Sequence, residues 1–303
     1  MNIYNSHFTN NEGLNGGALY LSNNEKPDTN DAEISMKNVY FNNNKANSFG
    51  GAIYSDYNDF YLTDAINIRL INNTAEIAGG ALYSPSHGNK TLLYYEDLYL
   101  ESNIGKSHGN DISSPPSYIL SKNEYNNTIT ISSGSYLSFV FNIYDENNNI
   151  LKDNNNYFTF ISVNSVINST QNNGYFQITG KECNFYYGEC QLNKLKILAQ
   201  PGQYSLKFEI DNFSKFNTKI KIEEEYKLII TKCKDNEIGI YSRNGLLSCE
   251  VPICYSNCPI GTSASCISLN TTYNINSPKY NMCTCYEGYT GNDCDQKIFI
   301  DIR

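Results

Sequence analysis

The stretch Gly50-Gly51-Ala52-Ile53-Tyr54 decides the fold, because copies of it return at a regular interval. One copy is Gly16-Gly17-Ala18-Leu19-Tyr20, another is Gly79-Gly80-Ala81-Leu82-Tyr83, and a degenerate copy is Gly109-Asn110-Asp111-Ile112. The first glycines of the four copies lie 34, 29 and 30 residues apart. A period of about 30 residues is typical of a repeat architecture.

A short FxxN-like motif precedes each glycine pair. The four motifs are Phe8-Thr9-Asn10-Asn11, Phe41-Asn42-Asn43-Asn44, Leu70-Ile71-Asn72-Asn73 and Leu100-Glu101-Ser102-Asn103. Their first residue is apolar, the residue two positions earlier is apolar in three copies, and the residue between is polar or amphipathic. This alternation is typical of a strand with one buried face.

Two short strands per copy cannot bury their apolar faces alone, so we predict that the copies stack into a solenoid over residues 1–117. The last residues of the motifs predict an asparagine ladder, in which each side-chain amide bonds its neighbours. The position after the glycine pair is alanine in three copies and Asp111 in the fourth, so we expect it to face outward. The fourth copy indicates a terminal coil, and Pro115-Pro116 then ends the array.

The FxxN and GGA[ILV] motifs resemble the repeats of chlamydial polymorphic outer-membrane proteins. Similar repeats occur in surface proteins of ciliates and early-diverging fungi. The resemblance covers about residues 1–114. It implies a short right-handed parallel β-helix of about four coils that serves adhesion or display.

Charge and composition exclude some functions. The chain has a net charge of −9, and residues 1–117 carry 6 basic and 13 acidic side chains. No basic stripe exists to neutralise phosphates, so we expect no nucleic-acid partner. Abundant asparagine and tyrosine favour turns and strands, which predicts an all-β chain.

All ten cysteines lie between Cys183 and Cys294, which indicates an oxidising compartment. The first residues read as a strand of the first repeat and not as a signal peptide. No apolar run reaches the roughly 18 residues that a membrane helix needs. We therefore expect an extracellular or cell-surface fragment that is membrane-tethered in the full-length protein.

Enzymatic activity is the first alternative, because many parallel β-helices act on polysaccharides. Asp56, Asp59 and Asp64 lie in one repeat loop and are the candidate carboxylates. An acidic array is a poor host for an anionic polysaccharide, and His7 and Arg69 share a column with two tyrosines that reads as a solvated face. We therefore predict no catalytic residue, no cofactor and no metal site.

Residues 118–232 lose the repeat and show seven or eight short alternating runs, which indicates a β-sandwich. The segment Pro201–Phe208 looks like a late strand of an immunoglobulin-like module. Predicted strands are Thr128–Ile131, Leu137–Tyr144, Tyr157–Val163, Tyr175–Thr179, Leu192–Leu198, Tyr204–Ile210, Thr218–Ile222 and Tyr226–Ile230. Pairing of Cys183 with Cys190 would pin an aromatic loop between them, and we expect its rings to pack on the sandwich.

The segment Cys283–Cys294 resembles the EGF-like signature CxCxxGYx4C, and the resemblance covers residues 250–295. Six cysteines allow 15 pairings. The resemblance implies Cys254–Cys266, Cys258–Cys283 and Cys285–Cys294. Paired CxxC units and nearby histidines are missing, which disfavours zinc, and the calcium-binding pattern is also missing. Cys233 and Cys249 are expected to close a connector over 233–249, and 296–303 form a tail.

The leading prediction is a non-catalytic spacer that presents an adhesion or recognition surface to a protein or glycan. Alternatives are a carbohydrate-active enzyme and the ligand-sensing ectodomain of a class C-like receptor. The expected compartment makes glycosylation plausible at several acceptor sequons. The candidate acceptors are Asn89, Asn126, Asn168, Asn212 and Asn270, whereas Asn72 lies beside the ladder and is expected to be blocked.

Overall fold

The structure, a computed structural model, describes residues 1–22, 34–56, 64–85, 98–169, 175–211, 220–269 and 274–298. Regular secondary structure within these ranges consists of strands, without an α-helix. The predicted all-β class is confirmed.

The repeats form three four-stranded parallel sheets, each with one strand from every copy. Sheet I consists of Asn2–Thr9 (β1), Ser35–Asn42 (β4), Asp64–Ile71 (β7) and Leu98–Glu101 (β10). Sheet II consists of Glu12–Gly13 (β2), Lys45–Ala46 (β5), Thr74–Ala75 (β8) and Ile104–Gly105 (β11). Sheet III consists of Leu19–Leu21 (β3), Ile53–Ser55 (β6), Leu82–Tyr83 (β9) and Ile112–Ser113 (β12). The register places Phe8 beside Phe41 and Leu70 beside Leu100, so the predicted parallel β-helix of four coils is confirmed.

An asparagine ladder runs through the corner between sheets I and II, as predicted. At Asn73, Nδ2 donates to Oδ1 of Asn103 at 3.0 Å and to the carbonyl oxygen of Phe41 at 3.1 Å. Oδ1 of Asn73 accepts from the backbone N–H and from Nδ2 of Asn44, at 3.0 and 2.9 Å. All four hydrogen-bonding capacities of this buried amide are therefore satisfied, and the ladder ties each coil to the next.

The fourth copy ends the array through two substitutions. In the ladder, Nδ2 of each asparagine donates to Oδ1 of the asparagine in the next coil. Asn103 has no such neighbour, and its Nδ2 donates instead to the carboxylate of Asp111 at 2.9 Å. One coil earlier, a Cβ added to Gly80 would lie 2.2 Å from the carbonyl oxygen of Asn110. Stacking therefore requires glycine at this position. Because Asn110 carries a Cβ there, a fifth coil cannot continue in the same register.

The expected outward orientation of the alanine column is wrong. Ala52 and Ala81 are fully buried in the core of the solenoid. The carbonyl oxygen of Ala81 accepts from the N–H groups of both Ala52 and Ile53, at 3.0 and 2.9 Å. The chain bends at this point, so two successive side chains face inward and the alternation expected of a strand is broken.

Two sheets packed face to face follow the solenoid. Sheet IV has the strand order Pro116–Ser121 (β13), Tyr136–Asp145 (β15), Glu189–Ala199 (β19) and Phe176–Thr179 (β17). Sheet V has the order Thr128–Ser132 (β14), Glu225–Thr231 (β21), Gly202–Asp211 (β20), Ser162–Ser169 (β16) and Glu182–Asn184 (β18). The ring of Phe208 in sheet V lies 4.8 Å from Phe139 and 4.9 Å from Phe141 in sheet IV. The sheets share one core, which confirms the predicted β-sandwich.

One predicted strand of the sandwich begins too early in the chain, and another lies partly outside the described residues. The carboxylate of Asp153 accepts from the N–H groups of Tyr157 and Phe158, at 2.7 and 2.9 Å, and holds this segment in turns. Strand β16 consequently begins only at Ser162. In the predicted strand 218–222, the described residues 220–222 form a single bridge, through Lys221.

A loop of the sandwich covers the fourth coil. The N–H of Lys152 donates to the carbonyl oxygen of Ser107 at 3.2 Å, and Nδ2 of Asn149 donates to that of Ile112 at 2.9 Å. The equivalent of the Ser107 carbonyl one coil earlier is that of Ile77, which accepts from the N–H of Ser107 at 2.8 Å. The loop therefore supplies donors that a fifth coil would otherwise provide.

Small hairpins and disulfides build the remainder of the chain. The hairpins are Ile238–Tyr241 (β22) with Leu247–Glu250 (β23), Ala264–Ser268 (β24) with Asn281–Cys285 (β25), and Tyr289–Thr290 (β26) with Gln296–Lys297 (β27). The disulfides of the structure are Cys183–Cys190, Cys233–Cys249, Cys254–Cys266, Cys258–Cys283 and Cys285–Cys294. A module with so little core depends on such bridges, each of which contributes roughly 2–4 kcal/mol.

Replacement of the central ladder residue, Asn73→Ala, is expected to lower the free energy of unfolding of the solenoid by about 3 kcal/mol or more. The substitution leaves buried donors of Asn44 and the Phe41 carbonyl without partners, and each unsatisfied group costs about 1–3 kcal/mol. Urea unfolding followed by circular dichroism measures the loss. The exposed control Asn2→Ala is expected to stay within about 0.5 kcal/mol of the wild type, and equal effects of the two substitutions would contradict the role of the ladder.

Candidate functional site

The outer face of sheet I carries a column of rings that encloses one cation. His7 and Tyr40 stack with ring centroids 4.7 Å apart and an interplanar angle of 5°. The guanidinium carbon of Arg69 lies 5.6 Å from the ring centroid of Tyr40 and 5.5 Å from that of Tyr99. The predicted outward orientation of this column is confirmed. The two inner groups, Tyr40 and Arg69, have a neighbour on each side within the column, and the contacts of the guanidinium with the tyrosine rings stabilise the stack.

A second asparagine ladder lies on the same face, and sequence reasoning missed it. Nδ2 of Asn38 donates to Oδ1 of Asn5 at 3.1 Å, and Nδ2 of Asn67 donates to Oδ1 of Asn38 at 2.9 Å. All three residues have positive φ, between 48° and 55°. Asparagine tolerates this conformation better than most residues. An asparagine three residues before the first position of three successive motifs was the signal that could have revealed this ladder.

A cleft of about 1030 Å³ lies between the last coil of the solenoid and a loop of the sandwich that contacts it. Coil four forms one wall, from Leu100 to Ile112, and the loop 147–154 forms the other. The lining mixes asparagine side chains with leucine, isoleucine and lysine side chains, and the carboxylate of Asp111 is already engaged by the ladder. Asp111 is the one carboxylate among the lining residues, whereas hydrolysis of a glycan generally uses a pair of carboxylates.

Behind the cleft, a buried polar cluster joins the solenoid to the sandwich. The carboxylate of Asp145 is fully buried and accepts from Oγ of Ser113 at 3.0 Å and from the N–H of Ser114 at 3.1 Å. It also accepts from the N–H groups of Asn147 and Asn149, at 2.9 and 2.8 Å. Oγ of Ser113 is thus buried and already used as a donor, so this cluster is structural and does not present a nucleophile.

His108 lies beside this cluster and is 4% exposed. Its ring nitrogens lie 3.3 Å from Oγ of Ser107 and 3.4 Å from the carbonyl oxygen of Ser114. Burial lowers the pKa of His108 to about 4, although the charge of Asp145 acts in the opposite direction. The imidazole is therefore neutral at physiological pH.

The candidate carboxylates of the enzyme alternative are only partly described. Asp56 is half-buried, and Oγ of Ser22 lies 3.5 Å from its Oδ2. Asp59 lies outside the described residues, as does the side chain of Asp64, whose backbone begins β7. Over the ranges that the structure describes, no cluster of three or more His, Cys, Asp or Glu side chains is placed to hold a metal ion.

The aromatic loop between Cys183 and Cys190 divides into a buried and an exposed part. Phe185 packs in the sandwich core and is 1% exposed, as expected. The expectation is wrong for Tyr186 and Tyr187, which are 60% and 52% exposed. A tight turn at these residues directs both tyrosines away from the core.

Three of the sequon asparagines are described. Asn126 and Asn168 have exposed side chains, and so does Asn72, whose expected shielding by the ladder is wrong. Asn89, Asn212 and Asn270 lie outside the described residues. Glycosylation of these positions stays a prediction.

Comparison with known proteins shows that one repeat is similar to a known repeat family. Residues 38–56 match the Chlamydia polymorphic membrane protein repeat, and these residues contain most of β4 with β5 and β6. Among curated proteins, none matches the chain.

Two solved structures are similar to 54% of the chain. They are the surface layer protein SbsC, domains 1–6, with a TM-score of 0.26, and the S-layer protein rSbsC(31–844), with a TM-score of 0.25. Sequence identity is 9% in both, and the similar region spans 21% of each of those chains. Within the described ranges, no helix has the length and apolar character needed to cross a membrane.

The stability of the junction is expected to fall as the pH decreases from about 6.5 to about 4. The folded-state pKa of His108 is below its ordinary value, so the unfolded chain binds more protons in this window and protonation favours unfolding. The contribution reaches about 3 kcal/mol. Urea unfolding at pH 7 and pH 4.5 should show a smaller pH dependence for His108→Gln than for the wild type. The exposed control His7→Gln should retain the wild-type dependence, and an unchanged slope in His108→Gln would refute this assignment.

Proposed function

We propose that the chain is a non-catalytic segment of a cell-surface protein, which acts as a stiff spacer and presents a recognition surface to a protein or glycan. The observation that carries the proposal is the polymorphic membrane protein repeat at residues 38–56. That segment spans a coil in which all three sheets and the ladder are continuous with both neighbours. The repeat therefore supports a role in which the solenoid presents a recognition surface.

The cysteines support an extracellular location. All ten are paired, and disulfides persist mainly in oxidising compartments. The pairing over residues 250–295 joins the first cysteine to the third, the second to the fourth and the fifth to the sixth. This order and the small hairpin of β24 and β25 support an EGF-like module, as found in surface proteins. We propose that this end leads toward a membrane anchor or a further domain.

The junction between solenoid and sandwich supports the role of a spacer. Asp145 and the loop after it bond both the side chains and the backbone of the last coil. Buried, fully hydrogen-bonded contacts of this kind resist bending between two parts of a chain. A segment that resists bending in this way would hold its recognition surface at a fixed distance from the rest of the protein.

An antibody raised against the chain tests the proposed location. It is expected to label intact source cells as strongly as permeabilised cells, because the epitopes face outward. A control antibody against a cytosolic protein should label only permeabilised cells. Labelling by the first antibody that also requires permeabilisation would refute the cell-surface role.

Incubation with a panel of polysaccharides tests the absence of catalysis. Release of new reducing ends is expected to stay at the level of a heat-unfolded sample. Turnover that disappears in the Asp56→Asn variant would replace the proposal with the carbohydrate-active alternative. The control Asp295→Asn changes an exposed carboxylate at the far end of the chain.

A further inference from the structure

The exposed tyrosines of the sandwich occupy a tight two-residue turn. The N–H of Tyr186 donates to the carbonyl oxygen of Glu189 at 2.9 Å, and the N–H of Glu189 donates back at 3.1 Å. The central residues Tyr187 and Gly188 both have positive φ, 49° and 73°. This is the geometry of a type I′ turn, in which Asn-Gly and Asp-Gly are the favoured central pairs.

A tyrosine in this position is unfavourable for folding. Of the 13 non-glycine residues with positive φ in the described ranges, nine are asparagine, and Tyr187 is the one aromatic residue among them. The left-handed conformation costs a residue with a bulky side chain free energy that asparagine or glycine would largely avoid. Strain that persists at an exposed position is an indication of function.

The turn is held rigidly. The Cys183–Cys190 disulfide closes the loop, and Phe185 anchors it in the core. Gly188 packs against the backbone so closely that an added Cβ would lie 1.7 Å from the carbonyl oxygen of Leu151. A ligand that binds to this turn would therefore meet side chains that lose little freedom on binding.

The two rings are arranged so that ring faces stay open. Tyr186 and Tyr187 meet at a centroid distance of 4.4 Å and an angle of 73°, edge against face. In this arrangement one ring covers part of a single face of the other, unlike the stacked column of sheet I. The side chain of Glu189 is paired with Lys122. A hydrogen bond with Tyr187 raises the pKa of Tyr186 above its ordinary value.

We infer that Tyr186 and Tyr187 form a binding site for an uncharged sugar ring of a glycan. The open ring faces would contact the apolar face of the sugar, and the phenol hydroxyls would exchange hydrogen bonds with its hydroxyl groups. A neutral ligand fits because the carboxylate next to the turn is already neutralised by Lys122. The inference names a ligand class for the recognition role proposed above and rests on that role only for its cellular setting.

A protein partner fits the turn less well. Specific protein interfaces bury about 800 Å² on each side and involve 20–30 residues, whereas this site presents two side chains on one tight turn between β18 and β19. Two tyrosines match the size of one or two sugar rings. Binding of a protein partner at this turn would therefore contradict the inference.

Saturation-transfer NMR on the whole chain tests the inference with neutral oligosaccharides of glucose, mannose and N-acetylglucosamine as probes. At least one of the three is expected to receive saturation, and the signal should fall at least tenfold in Tyr186→Ala and in Tyr187→Asn. Tyr175→Ala is the matched control, because Tyr175 is an exposed tyrosine on the same sandwich, and it should bind like the wild type.

The Tyr187→Asn variant also separates a binding role from a structural one. Asparagine relieves the strain of the turn, so this variant is expected to unfold at a higher temperature than the wild type while it loses binding. Absence of transfer to all three neutral probes overturns the inference. Transfer to the anionic polysaccharide polygalacturonate alone also overturns it, and so does evidence that the turn binds only a protein. Binding that is retained in either tyrosine variant has the same consequence. These outcomes leave the antibody labelling of cells unaffected, so the inference and the proposed function can fail separately.

Discussion

The fold depends on the need of a buried amide to satisfy two donors and two acceptors at once. In the inner ladder, a parallel stack of coils meets that need, because each amide gives to the next coil and receives from the previous one. Flat, parallel stacking follows, and so does the regular spacing of the sheets around it. The same requirement explains how the stack ends, since the ladder needs an oxygen after Asn103 and finds it in Asp111.

The end of the stack also explains the link to the sandwich. Coil four cannot extend, yet its outward carbonyl groups still need donors. The loop that follows β15 provides them, with Asp145 buried at its base and Lys152 over the last coil. The solenoid and the sandwich are thereby joined through a hydrogen-bonded surface and not through a flexible linker. A chain joined in this way would hold the proposed contact site at a fixed distance and orientation.

Much of this architecture is legible in the sequence, because periodic residues have periodic consequences. The repeat of the glycine pairs predicted the parallel coils, and the asparagine column predicted the inner ladder. The sequence was less informative where a single long-range contact overrides a local pattern. The alternation expected of a strand would place Ala52 and Ile53 on opposite faces. Both N–H groups instead donate to the carbonyl oxygen of Ala81, the chain bends there, and both side chains are buried. Nor could the sequence show that Asp145 would be buried against coil four. The contacting residues lie about 30 positions apart in the sequence, one in the sandwich and the others in the solenoid. The sequence also predicts that the rings of the pinned 183–190 loop pack on the sandwich, whereas the turn at Tyr187 and Gly188 leaves Tyr186 and Tyr187 exposed.

The central claim is that side-chain amides in the corner of the solenoid are permanently bonded from coil to coil. Hydrogen exchange of asparagine side-chain amides, followed by NMR, tests it directly. The account predicts that the Nδ2 protons of Asn44, Asn73 and Asn103 exchange as slowly as backbone amides of the solenoid core, while those of the exposed Asn2 exchange at the rate of an unstructured peptide. Rapid exchange at Asn73, with the backbone amides of β7 still protected, would show that the coils are held together by something other than the ladder.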